Sequence, residues 1–147
     1  MSEVFKICIT EKSGENMQEV NSIKVLANKG ILNDRYFNEN NDKDIQITLI
    51  ESENIDYVNE ISSVHIPYIN FRRNIITKGI KLNELVNKEF SIGEVKIKGH
   101  RLCDPCKYLQ DKLKDENLVK KLVNRGGLRC EILSTGVITL NDHISMI

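Results

Sequence analysis

The sequence predicts a mainly β domain with short helices (an α+β fold), its strands curled into a barrel. Three observations predict it. Short segments rich in β-branched residues recur along the chain, from VFKICIT at 4–10 to GVITL at 136–140. Stretches with helical periodicity are few and brief. The strands are not separated by regular long helices, which excludes a doubly wound parallel sheet.

The elements follow in order. Residues 4–10 read as a strand. Residues 11–19 are polar around Gly14 and read as a loop. Residues 20–26 alternate as a second strand, and Asn28 to Gly30 marks a turn. The polar run NDRYFNENNDKD at 33–44 has no periodicity and reads as a mobile loop. Residues 45–50, IQITLI, form the clearest strand, with Ile45, Ile47 and Leu49 facing one way. A helix follows from about residue 52, with Ser52 as its cap and Ile55, Val58 and Ile61 as its apolar stripe. Residues 63–70, with Pro67, read as extended or irregular, and 74–77 as a strand. One helical turn at 82–87 precedes a hairpin of Glu89–Ile92 and 94–98 about Gly93. Residues 106–113 and 115–124 read as helical. The second carries an apolar face of Leu118, Val119, Leu122 and Val123 and ends at Gly126 and Gly127. Strands at 129–134 and 137–140 flank Gly136, and HISMI at the end closes the sheet.

The chain has 147 residues, 40% hydrophobic and 29% charged, which suits one globular domain over 1–147. Lys+Arg and Asp+Glu balance at 21 each, which argues against broad electrostatic capture of nucleic acid or a membrane surface. The N-terminal residues carry no signal-peptide pattern, and no stretch approaches a membrane span in length. A cytoplasmic location is the expectation.

The four cysteines are too sparse for a disulfide scaffold, so reduced thiols are expected. Cys8 and Cys130 sit in apolar strands and read as small buried hydrophobes. Cys103 and Cys106 form a C-x-x-C pair in GHRLCDPCKYLQ. That spacing allows half of a tetrahedral zinc site, to which His100 could add a ligand. It also allows a dithiol couple, or a single thiolate acting as nucleophile, sulfur carrier or soft metal ligand. Arg101, Lys107 and a helix start near Pro105 would favour a thiolate at Cys106 below the free-thiol value, with Cys103 less shifted.

The six arginines fall in four short segments: Arg35, Arg72 with Arg73, Arg101, and Arg125 with Arg129. A guanidinium fork suits oxyanions better than a lysine ammonium does. Arg72 and Arg73, followed by Asn74 at a strand start, could bind an oxyanion, but adjacent strand residues point apart, so one of the two is expected to serve. Between Arg125 and Arg129, two glycines permit close backbone approach or a helix cap. Asp34 and Arg35 could pair within the loop or reach the site. No nucleotide-binding glycine motif and no H-E-x-x-H motif is present.

Taken in order, GILNDRYF, QITLIE, FRRNIITKGIKLNEL, FSIGEVKIKGHRLCDPCKYL, RGGLRCEIL and GVITLNDHI resemble the MOSC domain family, named for the C-terminal domain of molybdenum-cofactor sulfurases. The resemblance implies a MOSC-type β-barrel that binds the molybdenum cofactor (molybdopterin) or handles sulfur bound for it. It places the family's reactive or metal-ligating cysteine at Cys106, with Cys103 auxiliary. It implies that Arg72, Arg73 and Asn74 shape a cofactor pocket, to which Arg101, Arg125 and Arg129 would add oxyanion donors. The family's G-D-R turn stands here as Asn33-Asp34-Arg35, and Asn tolerates the left-handed backbone such a turn requires. With no desulfurase portion in these residues, pyridoxal phosphate is not expected. Three functions follow: cofactor binding with a Cys106 thiolate on molybdenum, in an oxidoreductase or a carrier; persulfide transfer by Cys106 to a metal centre, a cofactor or a partner protein; and a zinc or redox module built on Cys103 and Cys106.

Overall fold

Strand β1 (Glu3–Ile9) leads into β2 (Gln18–Val20), β3 (Ser22–Leu26), β4 (Gly30–Ile31) and β5 (Ile47–Glu51). Helix α1 (Ser52–Ile61) connects β5 to β6 (Ile75–Lys78), and β7 (Glu89–Ile92) and β8 (Val95–Leu102) form a hairpin. β9 (Leu128–Ile132), β10 (Gly136–Thr139) and β11 (Ile144–Met146) complete the set. The structure is a computed structural model and describes residues 2–61, 65–104, 120 and 123–147. Among these, no helix is long and apolar enough to cross a membrane.

Eight strands form one sheet in the order β11-β7-β8-β9-β5-β6-β1-β2, and β10-β3-β4 form a second. The large sheet curls until its ends meet. Ile144 N–H donates to Ser2 O, Val4 N–H to Asp142 O and Asn141 N–H to Val4 O, while Glu3 bridges His143. The predicted mainly β, barrel-like fold with short helices is therefore the one observed.

β5 and β6 pair in parallel, the others antiparallel. A parallel pair needs a crossover, and α1 supplies it. The helix covers the outer side of β5, β6 and β1, burying Ile55 and Val58 with Cys8, Ile50, Phe71 and Ile76. Inside the curl, Val4, Ile47, Leu49, Ile75, Phe90, Ile97, Leu128 and Cys130 share a second core with Ile23, Val25 and Ile138 of the small sheet. β5 is thus buried on both faces, Ile47 through Ile50 alike. An alternating pattern describes it poorly, and Ile45 lies before its start.

Other departures have local causes. The expected strand over 20–26 breaks at Asn21. Gln18–Val20 pairs with β1, and Ser22–Leu26 crosses to the small sheet. Residues 65–67 are irregular, one of the two readings expected, but they lead into an unexpected 3₁₀ turn, Tyr68–Phe71. Ser52 Oγ bonds Glu53 Oε1 within the first turn of α1 instead of capping it. Loop 33–44, read as mobile, is tied to its surroundings by hydrogen bonds. Asn41 Nδ2 donates to Lys29 O and Tyr36 O, Gln46 Nε2 donates to Asn41 O, and Gln46 Oε1 accepts from Ile132 N–H. Cys8 and Cys130 are fully buried, as expected, and burial chiefly pushes both thiols up, Cys8 to about 12. The expected helix at 106–113 lies outside the described residues, as does that at 115–124 except for residues 120, 123 and 124. At the end of the second, Val123 is 54% exposed and contributes no buried apolar face.

Asn74 joins three strands at one buried point. Its Oδ1 accepts from Thr48 N–H and Thr48 Oγ1, its own N–H donates to Thr48 Oγ1, and its Nδ2 donates to Cys8 O. Asn74→Ala leaves a buried amide and a buried carbonyl without these partners. It is expected to cost about 2–3 kcal/mol, read as a lower urea midpoint with an unchanged m-value.

Candidate functional site

β8 and β9 carry the site on their outer face. Along β9, Leu128, Cys130 and Ile132 join the core, so alternation turns Arg129 and Glu131 outward. β8 pairs Gly99 with Cys130 and then Arg101 with Arg129, leaving His100 as the extra residue of a bulge. His100 Nε2 lies 2.9 Å from Glu131 Oε1, a carboxylate that is itself buried. On the other side of β9, Arg129 pairs with Thr48 of β5, so Arg101, Arg129 and Thr48 lie in one row across three strands.

Two arginines directly opposed across a strand pair repel. The chain offsets this with one carboxylate from loop 33–44. Arg101 Nε donates to Asp44 Oδ2 at 2.7 Å. Burial alone would raise the Asp44 carboxyl, but Arg101's hydrogen bond and charge, with Arg129's charge, hold it below the usual value. Arg129 Nε is buried and has no hydrogen-bond partner among the described residues, an arrangement that native structures rarely leave unexplained.

Arg73 closes the group from a third direction. Its Nε donates to Gly126 O at 2.8 Å and its Nη2 to Asp104 O at 2.9 Å. Cys103 N–H donates to Gly127 O at 2.7 Å. The two glycines permit close approach, as expected, but of the chain to itself. A Cβ on Gly126 would stand 2.7 Å from Cys103 O, and one on Gly127, at φ +107°, would stand 2.1 Å from Leu49 O. Of the two glycines expected to cap a helix here, only Gly127 has a positive φ, and Asn124 before them is left-handed, with φ 65°.

Cys103 is 4% exposed. Burial raises its thiol, against the opposing charges of Arg73, Arg129 and Arg101, and Asp104 raises it further. Cys103 is thus held as a thiol at neutral pH, with three guanidiniums around it. Cys106, two residues beyond Asp104 in the chain, lies outside the described residues.

Arg72 and Arg73 do point apart, for a reason other than strand alternation. Neither lies in β6. Arg72 ends the 3₁₀ turn in the left-handed conformation, at φ 61°, and its Nη1 donates to Glu15 O, away from Arg73's partners. A buried ion pair supports this bend. Arg35 Nη2 donates to Arg72 O at 3.0 Å and Arg35 Nη1 to Asp34 Oδ1 at 3.3 Å, with the two side chains 5% and 1% exposed. Asp34 also accepts from Thr10 N–H, and Asn33 takes the left-handed turn at φ 71°.

The structure therefore brings Arg73, Arg101, Arg129 and Cys103 together and leaves three of the sequence candidates elsewhere. Arg72 faces loop 11–17. Asn74 uses its side chain within the sheet. Arg125 stacks over Tyr57, 4.1 Å from the ring centroid, bonds Asn54 and lines a cavity of about 510 Å³ with Lys81 and Glu84. Sequence reasoning missed Asp44 and Glu131. A carboxylate in an aperiodic polar run, or alone in a strand, carries no local signal.

A family model of the MOSC domain matches residues 34–145. No curated protein matches the sequence. Among solved structures, the fold is similar to that of the YuaD protein of Bacillus subtilis, with a TM-score of 0.82 at 15% identity, over 98% of this chain and 94% of that one. It is also similar to YiiM of Geobacillus stearothermophilus, with a TM-score of 0.79 at 16% identity, over 100% and 75%. For YiiM of Escherichia coli the TM-score is 0.66 at 17% identity, over 99% and 68%. At these identities the likeness is one of fold.

Two outcomes are expected from this geometry. Iodoacetamide should leave Cys103 nearly unmodified at neutral pH, because its raised pKa keeps the thiolate scarce, and its rate should climb only above the ordinary thiol value of 9.0. Peptide mass mapping against pH reads this cysteine by cysteine. Arg73→Ala, which removes two bonds to carbonyls, should lower stability by about 1.5–3 kcal/mol. Arg72→Gly should cost far less, since glycine relieves the left-handed backbone. Paired urea titrations distinguish the two.

Proposed function

The chain belongs to the MOSC domain family, and from that premise we propose that it binds the molybdenum cofactor. In this reading Arg101 and Arg129, with Arg73 beside them, hold the pterin phosphate, and Cys106 supplies a thiolate ligand to molybdenum. The observation that carries the reading is the Arg101–Arg129 pair, opposed in register, with Arg129 Nε buried and without a hydrogen-bond partner among the described residues. Two like charges held against their repulsion, one with a donor to spare, fit a bound oxyanion. Two guanidiniums in register offer more donors than one carboxylate can use, which favours a phosphate ester.

The bound cofactor would supply metal-centred redox chemistry. The chain's own part is to bind, orient and screen. Arg73 fixes the segment through Asp104 by its hold on Asp104 O. Cys103, buried and protonated, is poorly suited to be a ligand and serves as packing at the foot of that segment. Thr48, tied to Asn74, keeps β5 in register beside Arg129. The thiolate role then rests on Cys106. A persulfide carrier would use the same cysteine, and a zinc or dithiol module would need both.

Protein prepared in cells competent for cofactor synthesis, measured for molybdenum, pterin fluorescence and intact mass, tests the reading. Wild type and Cys103→Ser are expected to retain molybdenum and pterin, and Cys106→Ser to lose molybdenum. Arg129→Gln is expected to weaken retention by about 1.5–3 kcal/mol, the scale of a lost charged hydrogen bond. A mass increment of one sulfur on Cys106 without molybdenum replaces this reading with sulfur transfer. Equal loss in both cysteine variants, with zinc bound in wild type, replaces it with the paired-cysteine module. Full retention without Cys106 overturns the thiolate assignment.

A further inference from the structure

Loop 33–44 places one carboxylate against the cationic row, and its attachment is uneven. The neighbours of Asp44 are anchored on both sides, Asn41 to Lys29 O and Tyr36 O, and Gln46 to Asn41 O and Ile132 N–H. The Asp44 side chain is itself 36% exposed, and its one side-chain partner among the described residues is Arg101, whose side chain is 56% exposed. The anchors hold the backbone on both sides, while the Asp44 carboxylate itself stays open to solvent. Arg101 is also the residue opposed to Arg129, so the carboxylate feels the charge of both arginines.

From this geometry we infer that Asp44 is an intramolecular stand-in for the ligand, a tethered anion that an external oxyanion must displace from Arg101. The inference rests on the oxyanion reading above and deepens it. A monoanion that replaces the Asp44 carboxylate leaves the charge of the row unchanged, and it must overcome a tethered competitor at high local concentration. A dianion adds a further negative charge against Arg129 and Arg73. Asp44 therefore weakens every oxyanion by the same factor, and the extra charge of a phosphate monoester against Arg129 and Arg73 is what lets it outbind a monovalent anion. The device keeps two opposed arginines compensated without closing the site.

The test compares two probes with the same phosphoryl group, methyl phosphate and dimethyl phosphate. Near pH 8 the first carries about two negative charges, because its second pKa lies at about 6. The second carries one. Calorimetric titration of the full chain is expected to show methyl phosphate binding more tightly. Asp44→Asn and Asp44→Ala should each tighten both probes by about two- to fivefold, the worth of an exposed ion pair. The factor should be the same for both probes, because displacing Asp44 costs the same whichever anion does it. A factor for methyl phosphate near the square of that for dimethyl phosphate marks a carboxylate that stays and repels, and overturns displacement. Unchanged or weaker binding in both variants overturns it too, leaving Asp44 inert or an orienting partner of Arg101. If wild type and both variants fail to bind methyl phosphate, the oxyanion reading itself falls and takes this inference with it.

Discussion

The site hangs on the side chain of Asn74. That residue ties β5 to β6 through Thr48 and β6 to β1 through Cys8 O, in a place closed to water. Two consequences follow from its position alone. Arg73 precedes it, so the start of Arg73's reach toward Gly126 and Asp104 is fixed by the same clamp. Thr48 is paired with Arg129, so the register of β5 against β9 sets the height of the cationic row. A slip of one residue would turn Arg129 into the core and Leu128 out of it. An apolar residue at position 74 would remove that constraint, and the strands would lose their common reference before the core lost much area.

A second constraint acts from the opposite side. The Asp34–Arg35 pair is buried, and such pairs contribute little net stability, because desolvation offsets most of the attraction. Its value here is directional. By bonding Arg72 O, Arg35 supports a non-glycine residue in left-handed backbone. That bend sends consecutive arginines to different parts of the molecule. Arg72 secures loop 11–17, while Arg73 joins the group around Cys103. The local strain persists because the surroundings over-determine it.

Much of this was legible in the sequence, for reasons that can be named. The mainly β class, the hairpin about Gly93 and the buried roles of Cys8 and Cys130 follow from local pattern. Asn33 stood where a left-handed turn was needed and adopts it. What pattern missed depends on contacts between distant segments. The break at Asn21 arises because two sheets compete for one run of strand-forming residues. The anchors of loop 33–44, Lys29 O, Tyr36 O and Ile132 N–H, escaped the sequence because they are backbone groups without a sequence signature. Five arginines formed one reasonable candidate set, but only three share a location. Which three depends on the bulge at His100 and the bend at Arg72, both products of tertiary structure.

The seam of the barrel sets a schedule for folding. It joins Glu3 to His143 and Ile144 to Ser2, residues nearly as far apart in sequence as the described chain allows. Closing so long a loop carries a large entropic cost before any contact rewards it, and folds rich in such contacts form slowly. During synthesis on the ribosome, β1 and β6 can pair early, while the partner that closes the curl does not yet exist. Until Ile144 emerges, the nascent barrel has an open edge and an incompletely covered interior, the condition in which a cell's holdase chaperones engage a chain. The outer wall that carries Arg101 and Arg129 is completed within the same late interval, since β9 follows β8 only after the intervening segment has been made. Binding competence and barrel closure therefore mature together, once β11 has been made.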